Sequence, residues 1–392
     1  MTLHVFNPEH DMALAANLEN FTAPRAGRQL CHDLGFLPML WAGTGDCVLV
    51  DDEDEAAASF RQLALVAADC LGTEIGCDGL WQGGSGLPKG VDSVDPWGWD
   101  LALRFRLRQL GADSAALPDD VWLSRLRELS HRRTAAHLLG LLCDDCPQGT
   151  LGQVPAECLT VADVETAVTR YGCAVLKMPW SSSGRGLRFV RKAVNNPSWQ
   201  ANDALQGWLR NVIGRQGSVM VEPLYDKVKD FGMEFEALPD GTVAYCGLSL
   251  FHTVNGAYTG SILATERTKR EMMCRYVSID VLDRVRASIC RRLPEVLHGS
   301  YCGPLGIDMM VCTGEMPGSM PKEKVNRENG FLIHPCVEMN LRRTMGHVAL
   351  ALTPVLDERV AVMQILPPSS KDPSSHYRTT ISRLALPPRA LS

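Results

Sequence analysis

Apolar positions in the first third of the chain follow two alternating patterns. Residues 3–6 are a short apolar run that suits a buried strand, and residues 11–18 then carry apolar side chains at helical spacing. The same order recurs at residues 47–50 and 56–70, where an acidic run between them favours a helix N-terminus. The repeated strand and helix order predicts an α/β domain over residues 1–128.

After about residue 173 the apolar segments are shorter and are separated by turn-forming residues. Helical spacing at residues 132–142 and 161–171 precedes this change. Strands are predicted at residues 173–178, 187–190, 219–222, 233–237, 243–251, 306–312 and 331–339. We therefore expect an α+β region after the first domain. The Pro- and Ser-rich residues 367–392 are predicted to be a surface tail.

The composition is that of an average globular protein and excludes several classes. Of 392 residues, 45% are hydrophobic and 21% are charged, and the net charge is −6 without a dominant basic run. No apolar run reaches the roughly 18 residues that a membrane span requires. Fourteen cysteines are too few for a secreted disulfide scaffold. We expect a protein of the reducing cytoplasm that is not exported and has neither a nucleic-acid nor a membrane partner.

Familiar motifs of nucleotide and hydrolase sites are absent from the sequence. Residues 83–89 resemble a P-loop only superficially, because Pro88 stands where the second glycine belongs and Gly90 where Ser or Thr would reach magnesium. The first strand is not followed by GxGxxG, and the chain contains neither HExxH nor GxSxG. Standard dinucleotide binding and the common hydrolase reactions are therefore not expected.

A lysine and the loop after it can together hold a triphosphate. Lys177 lies in the apolar strand 174–178, where a buried ammonium requires an anionic partner. The Ser-Ser-Ser-Gly-Arg-Gly loop at residues 181–186 follows, and its hydroxyl and backbone N–H groups can donate to phosphate oxygens. Taken separately, the two features suit a solvated lysine and a plain hairpin, but their succession favours phosphate. Further along, strand 219–222 ends in Glu222, which can accept a hydrogen bond from an adenine amino group.

Three oxygen-bearing side chains near the end of the chain suit a magnesium site. Asp308 is the one acid in an apolar strand, and a buried acid is costly unless it is paired or binds a cation. Glu338 and Asn340 are two residues apart, so they face the same side of a strand. Magnesium prefers such hard oxygen ligands together with phosphates. Arg342 and Arg343 follow at once and can neutralise a carboxylate or a phosphoryl group.

The order of these features resembles the ATP-grasp superfamily over about residues 130–350. The shared order is a lysine-bearing strand, a Ser/Gly loop, a strand ending in Glu, an Asp strand and Glu-x-Asn-x-Arg. Within the superfamily, residues 337–342 are most similar to peptide-forming ligases of antibiotic biosynthesis. The resemblance implies an α/β N-terminal domain followed by an α+β module, in which ATP binds between a lid subdomain, residues 129–218, and a C-terminal subdomain, residues 219–366.

The resemblance also implies a role for individual residues. Lys177 would hold the phosphates, Arg342 would stabilise an acyl phosphate, and Arg132 would bind phosphate, with Arg133 as its alternative. The ribose acid would be Asp230, with Asp226 as its alternative. The lid loop would include Ser181, Ser182, Ser183 and Gly184; the adenine-contacting linker would be Glu222, Pro223, Leu224 and Tyr225; and the ligands of magnesium would be Asp308, Glu338 and Asn340.

The function implied is an ATP-dependent ligase that joins a small-molecule carboxylate to an amine. The carboxylate would be activated as an acyl phosphate, and the amide or peptide bond would form when the amine displaces phosphate. ATP and Mg²⁺ would be required, with Mn²⁺ as a substitute, and a homodimer is compatible with the sequence. Two alternatives remain: a small-molecule kinase on the same scaffold and a non-catalytic nucleotide-binding module.

Two further segments of the N-terminal domain are rich in polar and aromatic residues. Asn-Pro-Glu-His-Asp, residues 7–11, follows the first strand at the edge where open α/β sheets place ligands. A capping turn is favoured there, with substrate contact as the alternative. Pro-Trp-Gly-Trp-Asp, residues 96–100, holds Trp97 and Trp99 on either side of a glycine. Such a pair is typical of a domain interface, and substrate contact is again the alternative.

Overall fold

The computed structural model describes residues 1–83, 86–181, 186–193, 198–254, 257–313, 330–369 and 375–384. Within these ranges the chain forms three sheets with helices packed on them, which confirms a mixed α/β structure. None of the helices in these ranges is long and apolar enough to cross a bilayer. All fourteen cysteines are free thiols.

The N-terminal sheet has four parallel strands in the order β3-β2-β1-β4. The strands are β1 Thr2–Val5, β2 Cys47–Leu49, β3 Leu80–Gln82 and β4 Ser93–Pro96. The helices of this part are α1 His10–Ala16, α2 Arg25–Leu34, α3 Glu53–Leu71, α4 Leu101–Gln109 and α5 Asp120–Leu129, with 3₁₀ turns at Leu37–Leu40 and Ser114–Ala116. The strand and helix order predicted from residues 3–70 is confirmed. Because β1 and β4 are parallel neighbours, the segments that follow them leave the sheet at the same edge.

A second sheet of four antiparallel strands has the order β5-β8-β6-β7. Its strands are β5 Ala156–Cys158, β6 Cys173–Lys177, β7 Leu187–Arg191 and β8 Val219–Pro223. Helices α7 Val161–Tyr171 and α8 Asp203–Gln216 cover it, and α7 begins with a capping box between Thr160 and Asp163. The β6 and β7 hairpin was predicted. The expected boundary at residue 219 differs, because β8 pairs with β6 and so belongs to this sheet.

The third sheet has seven antiparallel strands in the order β13-β12-β9-β10-β11-β14-β15. They are β9 Lys227–Ala237, β10 Val243–Val254, β11 Ala257–Leu263, β12 Gly303–Cys312, β13 Leu332–Asn340, β14 Ala361–Leu366 and β15 Arg378–Arg383. The helices are α6 Arg132–Asp145, α9 Glu266–Met273, α10 Ile279–Leu297 and α11 Met345–Ala351. The largest core of the protein lies between this sheet and α6 and α10. This packing holds the N-terminus of α6 beside β13.

The C-terminal segment differs from the surface tail that was predicted. Strand β15 pairs with β14 along its whole length, and Ile381 is buried in a core shared with the N-terminal helix α3. The apolar content of the strand is low because it lies at the edge of the sheet, so its sequence resembles a polar tail. Residues 370–374 and 385–392 of the predicted tail lie outside the described part.

Candidate active site

The two acids proposed as metal ligands face each other on neighbouring strands. Asp308 of β12 pairs in register with Glu338 of β13, and the Asn340 amide donates to the Asp308 carboxylate at 3.2 Å. Beside this pair the register shifts, because Met310 pairs with His334. Two residues along β12 therefore correspond to four along β13, which bulges at this point. Burial, reinforced by the negative charge of Glu338, raises the pKa of Asp308 to about 7. Two neighbouring carboxylates with an amide beside them are hard oxygen groups of the kind that bind a divalent cation.

Lys177 does have the anionic partner that its buried position requires. Its ammonium lies 2.5 Å from the Glu222 carboxylate, and both side chains are less than one tenth exposed. The pair is formed because β6 and β8 are antiparallel neighbours, with Lys177 opposite Met220 and Val175 opposite Glu222. Glu222, expected beside adenine, is therefore also the counter-ion of the lysine expected beside phosphate.

Of the two consecutive arginines at the start of α6, Arg132 is the one that reaches the site. Its Nη2 lies 2.8 Å from the Glu338 carboxylate, and its Nε donates to the Met178 carbonyl at 2.9 Å. The Ser181 hydroxyl accepts from the same guanidinium at 3.3 Å. Arg133 is instead half exposed and pairs with Glu157 at 3.3 Å. The geometry favours Arg132 between the two alternatives.

Two cavities meet at the ion pair between Arg132 and Glu338. One is lined by Arg132, Lys177 and Glu222, together with Val337. The other is lined by Glu338, whose neighbours there are Asn340, Ser181, Trp180, His10 and Asp11. We call these the lysine cavity and the N-terminal cleft. Strand β13 runs from one to the other, with Val337 in the lysine cavity and Glu338 in the N-terminal cleft.

Arg342 connects this strand to the N-terminal domain. Its Nε and Nη2 donate to the two carboxylate oxygens of Asp11 at 3.0 and 2.7 Å, and its Nη1 donates to the Arg343 carbonyl at 2.9 Å. Burial alone would raise the pKa of Asp11, but the guanidinium holds it below its ordinary value. The neighbouring Arg343 pairs with Asp95 at 2.7 Å and lies over the Trp41 ring.

The linker expected beside adenine runs from the end of β8 into β9. Tyr225 is buried, its hydroxyl accepts from the Gln153 N–H at 2.8 Å, and its ring meets His334 edge-on. Both candidate ribose acids have partners: Asp230 binds Lys227 at 2.6 Å, and Asp226 accepts from the Thr313 hydroxyl at 3.3 Å. Pro223 ends β8 and Leu224 follows it. Ser182, Ser183 and Gly184 of the expected lid loop lie outside the described residues.

The structure adds a buried acid that the sequence interpretation missed. Glu234 of β9 is 3% exposed and accepts from the Thr344 hydroxyl at 2.8 Å. Burial raises its pKa to about 8. A Cβ at Gly306 would lie 2.5 Å from its carboxylate, so glycine is required beside it. Glu234 stands between the apolar Met233 and Phe235, but β9 contains other charged residues, so the signal that identified Asp308 was weaker here.

Comparison with known proteins gives matches among solved structures alone. No family model and no curated protein matches the chain. N5-carboxyaminoimidazole synthetase from Staphylococcus aureus, complexed with ADP, has a TM-score of 0.44 at 10% identity, over 93% of this chain and 82% of that chain. Biotin carboxylase from Campylobacter jejuni has 0.46 at 10%, over 98% and 87%. L-amino acid ligase from Bacillus licheniformis has 0.42 at 13%, over 94% and 80%.

At TM-scores below 0.5, these matches assign no role to any residue of this chain. The positions of Lys177, Arg132, Asp308, Glu338 and Asn340 are known from the geometry described above.

Proposed function

We propose that the protein is an ATP-dependent ligase that joins a carboxylate to an amine through an acyl phosphate. The observation that carries the proposal is the position of Glu338, between a cavity that contains a buried lysine and a cleft shared with the N-terminal domain. A phosphate donor in the lysine cavity and a carboxylate in the N-terminal cleft would meet at this residue. Reactants held in contact gain rate mainly from positioning and electrostatics.

The oxygen ligands and N–H donors around Glu338 suit a complex of magnesium with a nucleotide. Magnesium or manganese, held by Asp308, Glu338 and Asn340, would supply positive charge to the phosphates of ATP. Lys177 has three N–H donors, so it can keep Glu222 as its partner and still donate to a phosphate oxygen. Arg132 uses Nε and Nη2 for the contacts described above, and its Nη1 makes no hydrogen bond within the described residues. That group can bind phosphate as well.

The residues around the N-terminal cleft would orient the acyl phosphate and the amine in the second step of the reaction. Arg342 does not line the cleft, but it is fixed by Asp11, which does, and each of its Nη atoms retains one N–H that would donate to an acyl phosphate brought next to Asp11. The substrate carboxylate would attack the γ-phosphate, and the amine would then displace phosphate. ADP, phosphate and an amide are the products.

The test is a screen of amino acids and small carboxylic acids with ATP, Mg²⁺ and hydroxylamine. Hydroxylamine converts an acyl phosphate to a hydroxamate, so a ligase gives hydroxamate, ADP and phosphate in equal amounts. A kinase gives ADP and a stable phosphorylated product, and a binding module gives no ADP, so either result would replace the proposal. Asp308→Asn should abolish hydroxamate formation. Asp240→Asn, in an exposed turn after β9, is the matched control and should retain it.

A further inference from the structure

The polar segment after β1 and the tryptophan segment after β4 form a single unit. The Asn7 side chain donates to the Gly98 carbonyl at 2.8 Å and accepts from the Gly98 N–H at 3.2 Å. Both contacts are buried, because Asn7 is 2% exposed. From the sequence, a capping turn was favoured for the first segment and an interface for the second, with substrate contact as the alternative for each. Their shared role depends on the parallel pairing of β1 with β4.

This unit holds a histidine and an aspartate together. His10 Nδ1 lies 3.3 Å from Asp100 Oδ2, and the two residues are 1% and 3% exposed. Asp100 Oδ1 accepts from the Leu103 N–H at 2.8 Å as the N-cap of α4, and Asn7 donates to Oδ2 at 3.3 Å. A carboxylate is an acceptor, so Asp100 favours the tautomer with the proton on Nδ1 and leaves Nε2 as an acceptor. Nε2 makes no hydrogen bond within the described ranges.

The His10 ring lies at the wall of the N-terminal cleft. It lines the same space as Ser181, Glu338 and Asn340. A Cβ on Gly98 would stand 2.7 Å from two ring atoms, so the absence of a side chain there allows the backbone to lie against the ring. The orientation of the imidazole is therefore fixed by Gly98 on one side and Asp100 on another.

Three side chains that line the cleft can accept a proton, and they differ in their partners. Asp11 is paired with Arg342, and Glu338 is paired with Arg132. Each of these two carboxylates is therefore already engaged by a cation. His10 contacts an acid through Nδ1, which leaves Nε2 as the ring atom that can accept a proton from a group in the cleft. Within the described lining of the cleft, His10 is the group best suited to act as a base.

We propose that His10 is the general base for the amine substrate and that Asp100 is its positioning residue. This inference rests on the proposed ligase function. An ammonium group has no lone pair, so Nε2 must first take one of its protons. The amine nitrogen then bonds to the carbonyl carbon, and the bond from that carbon to the phosphate oxygen breaks, with its electron pair leaving on phosphate. The amide nitrogen loses its second proton to solvent, and Asp100 balances the charge of the imidazolium.

The experiment compares two nucleophiles in the full-length His10→Gln variant. Hydroxylamine is mostly unprotonated near neutral pH and needs no base, whereas an amino acid attacks only after its ammonium is deprotonated. With the carboxylate from the hydroxamate screen and the standard amino acid that gives most amide, we expect amide formation to fall by about 100-fold or more. Hydroxamate formation should stay within about threefold. Equal loss of both activities, or loss of neither, would overturn the assignment.

A second histidine provides the matched control. His4 lies on β1 opposite Asp95 of β4, and its Nδ1 is 2.9 Å from Asp95 Oδ2. It is also buried, at 5% exposure, but it is not among the residues that line the cleft. His4→Gln should keep the ratio of amide to hydroxamate found in the unsubstituted protein. A selective loss of amide in this variant too would count against His10. Absence of hydroxamate in the unsubstituted protein would refute the ligase function itself.

Two more variants separate the base from a structural role. In His10→Ala, imidazole added to the buffer should restore part of the amide formation, because it replaces the missing base. Asp100→Asn keeps an oxygen for the Leu103 N–H, so the cap of α4 is retained. We expect this variant to lower kcat with the amine by at least about tenfold and to leave kcat with hydroxylamine unchanged. Failure of rescue, together with equal losses for both nucleophiles in Asp100→Asn, would show a structural role.

Discussion

The guanidinium of Arg132 and the carboxylate of Glu338 form a 2.8 Å ion pair between the N-terminus of α6 and the end of β13. The pair lies at the boundary between the lysine cavity and the N-terminal cleft. Arg132 also binds Ser181, the first residue of the expected lid loop. One side chain therefore connects the loop, the proposed metal ligands and both cavities.

Removing the negative charge of either proposed metal ligand should abolish turnover without harming the fold. Asp308→Asn relieves repulsion between two carboxylates, so we expect its free energy of unfolding to stay within about 1 kcal/mol or to rise. Glu338→Gln relieves the same repulsion but gives up the ion pair with Arg132, so we expect it to lose about 1–2 kcal/mol and still fold. ADP release should fall by more than about 100-fold. Both quantities are measured by denaturant unfolding and a coupled ADP assay, and normal ADP release in either variant would refute the metal assignment.

The buried ion pair of Lys177 and Glu222 should show strong coupling. Lys177→Met leaves the Glu222 charge unpaired and buried, which we expect to destabilise the protein by about 3–5 kcal/mol. The double variant Lys177→Met with Glu222→Gln should recover much of that stability. ATP binding, measured by calorimetry, should remain weak in both, because the ammonium is missing. Recovery of ATP affinity in the double variant would show that Lys177 does not bind phosphate.

Stability and activity should depend on the geometry of the contact between Arg342 and Asp11 as well as on its charge. Arg342→Lys keeps a cation but cannot make the two parallel hydrogen bonds. We expect a loss of about 1–3 kcal/mol in unfolding free energy and at least a tenfold fall in ligase activity. Asp11→Asn should show a similar loss of stability. If Arg342→Lys were as stable and active as the parent, the connection between domains would have no functional role.

The buried acid Glu234 should make stability depend on pH near neutrality. Its pKa is raised to about 8 in the folded protein, above the ordinary value of 4.5, so the folded state holds this proton more tightly than the unfolded state. Its contribution is therefore complete below about pH 4.5 and is lost as the pH rises through 8. Urea unfolding between pH 5 and pH 9 should show this decline, and Glu234→Gln should flatten it. An unchanged slope in the variant would exclude Glu234 as its cause.

The sequence was sufficient to predict the features that depend on local pattern. Period-two spacing placed Glu338 and Asn340 on one face of a strand, and the apolar surroundings of Asp308 marked it as unusual. The choice between Arg132 and Arg133 could not be made, because it depends on how α6 is rotated against β13 by long-range packing.

Contacts between distant segments could not be predicted for the same reason. Asp11 and Arg342 are 331 positions apart, and His10 and Asp100 are 90 positions apart. No local signal in either segment specifies its partner. The sheets bring each pair together, so these contacts were visible only in the structure.

The central claim is that a substrate carboxylate takes the γ-phosphate of ATP before the amine attacks. It is tested most directly by labelling both oxygens of the carboxylate found in the hydroxamate screen with ¹⁸O and analysing the released phosphate by mass spectrometry. Attack by the carboxylate through an acyl phosphate predicts one ¹⁸O atom in the phosphate for each amide formed. Unlabelled phosphate accompanying amide formation would contradict the account.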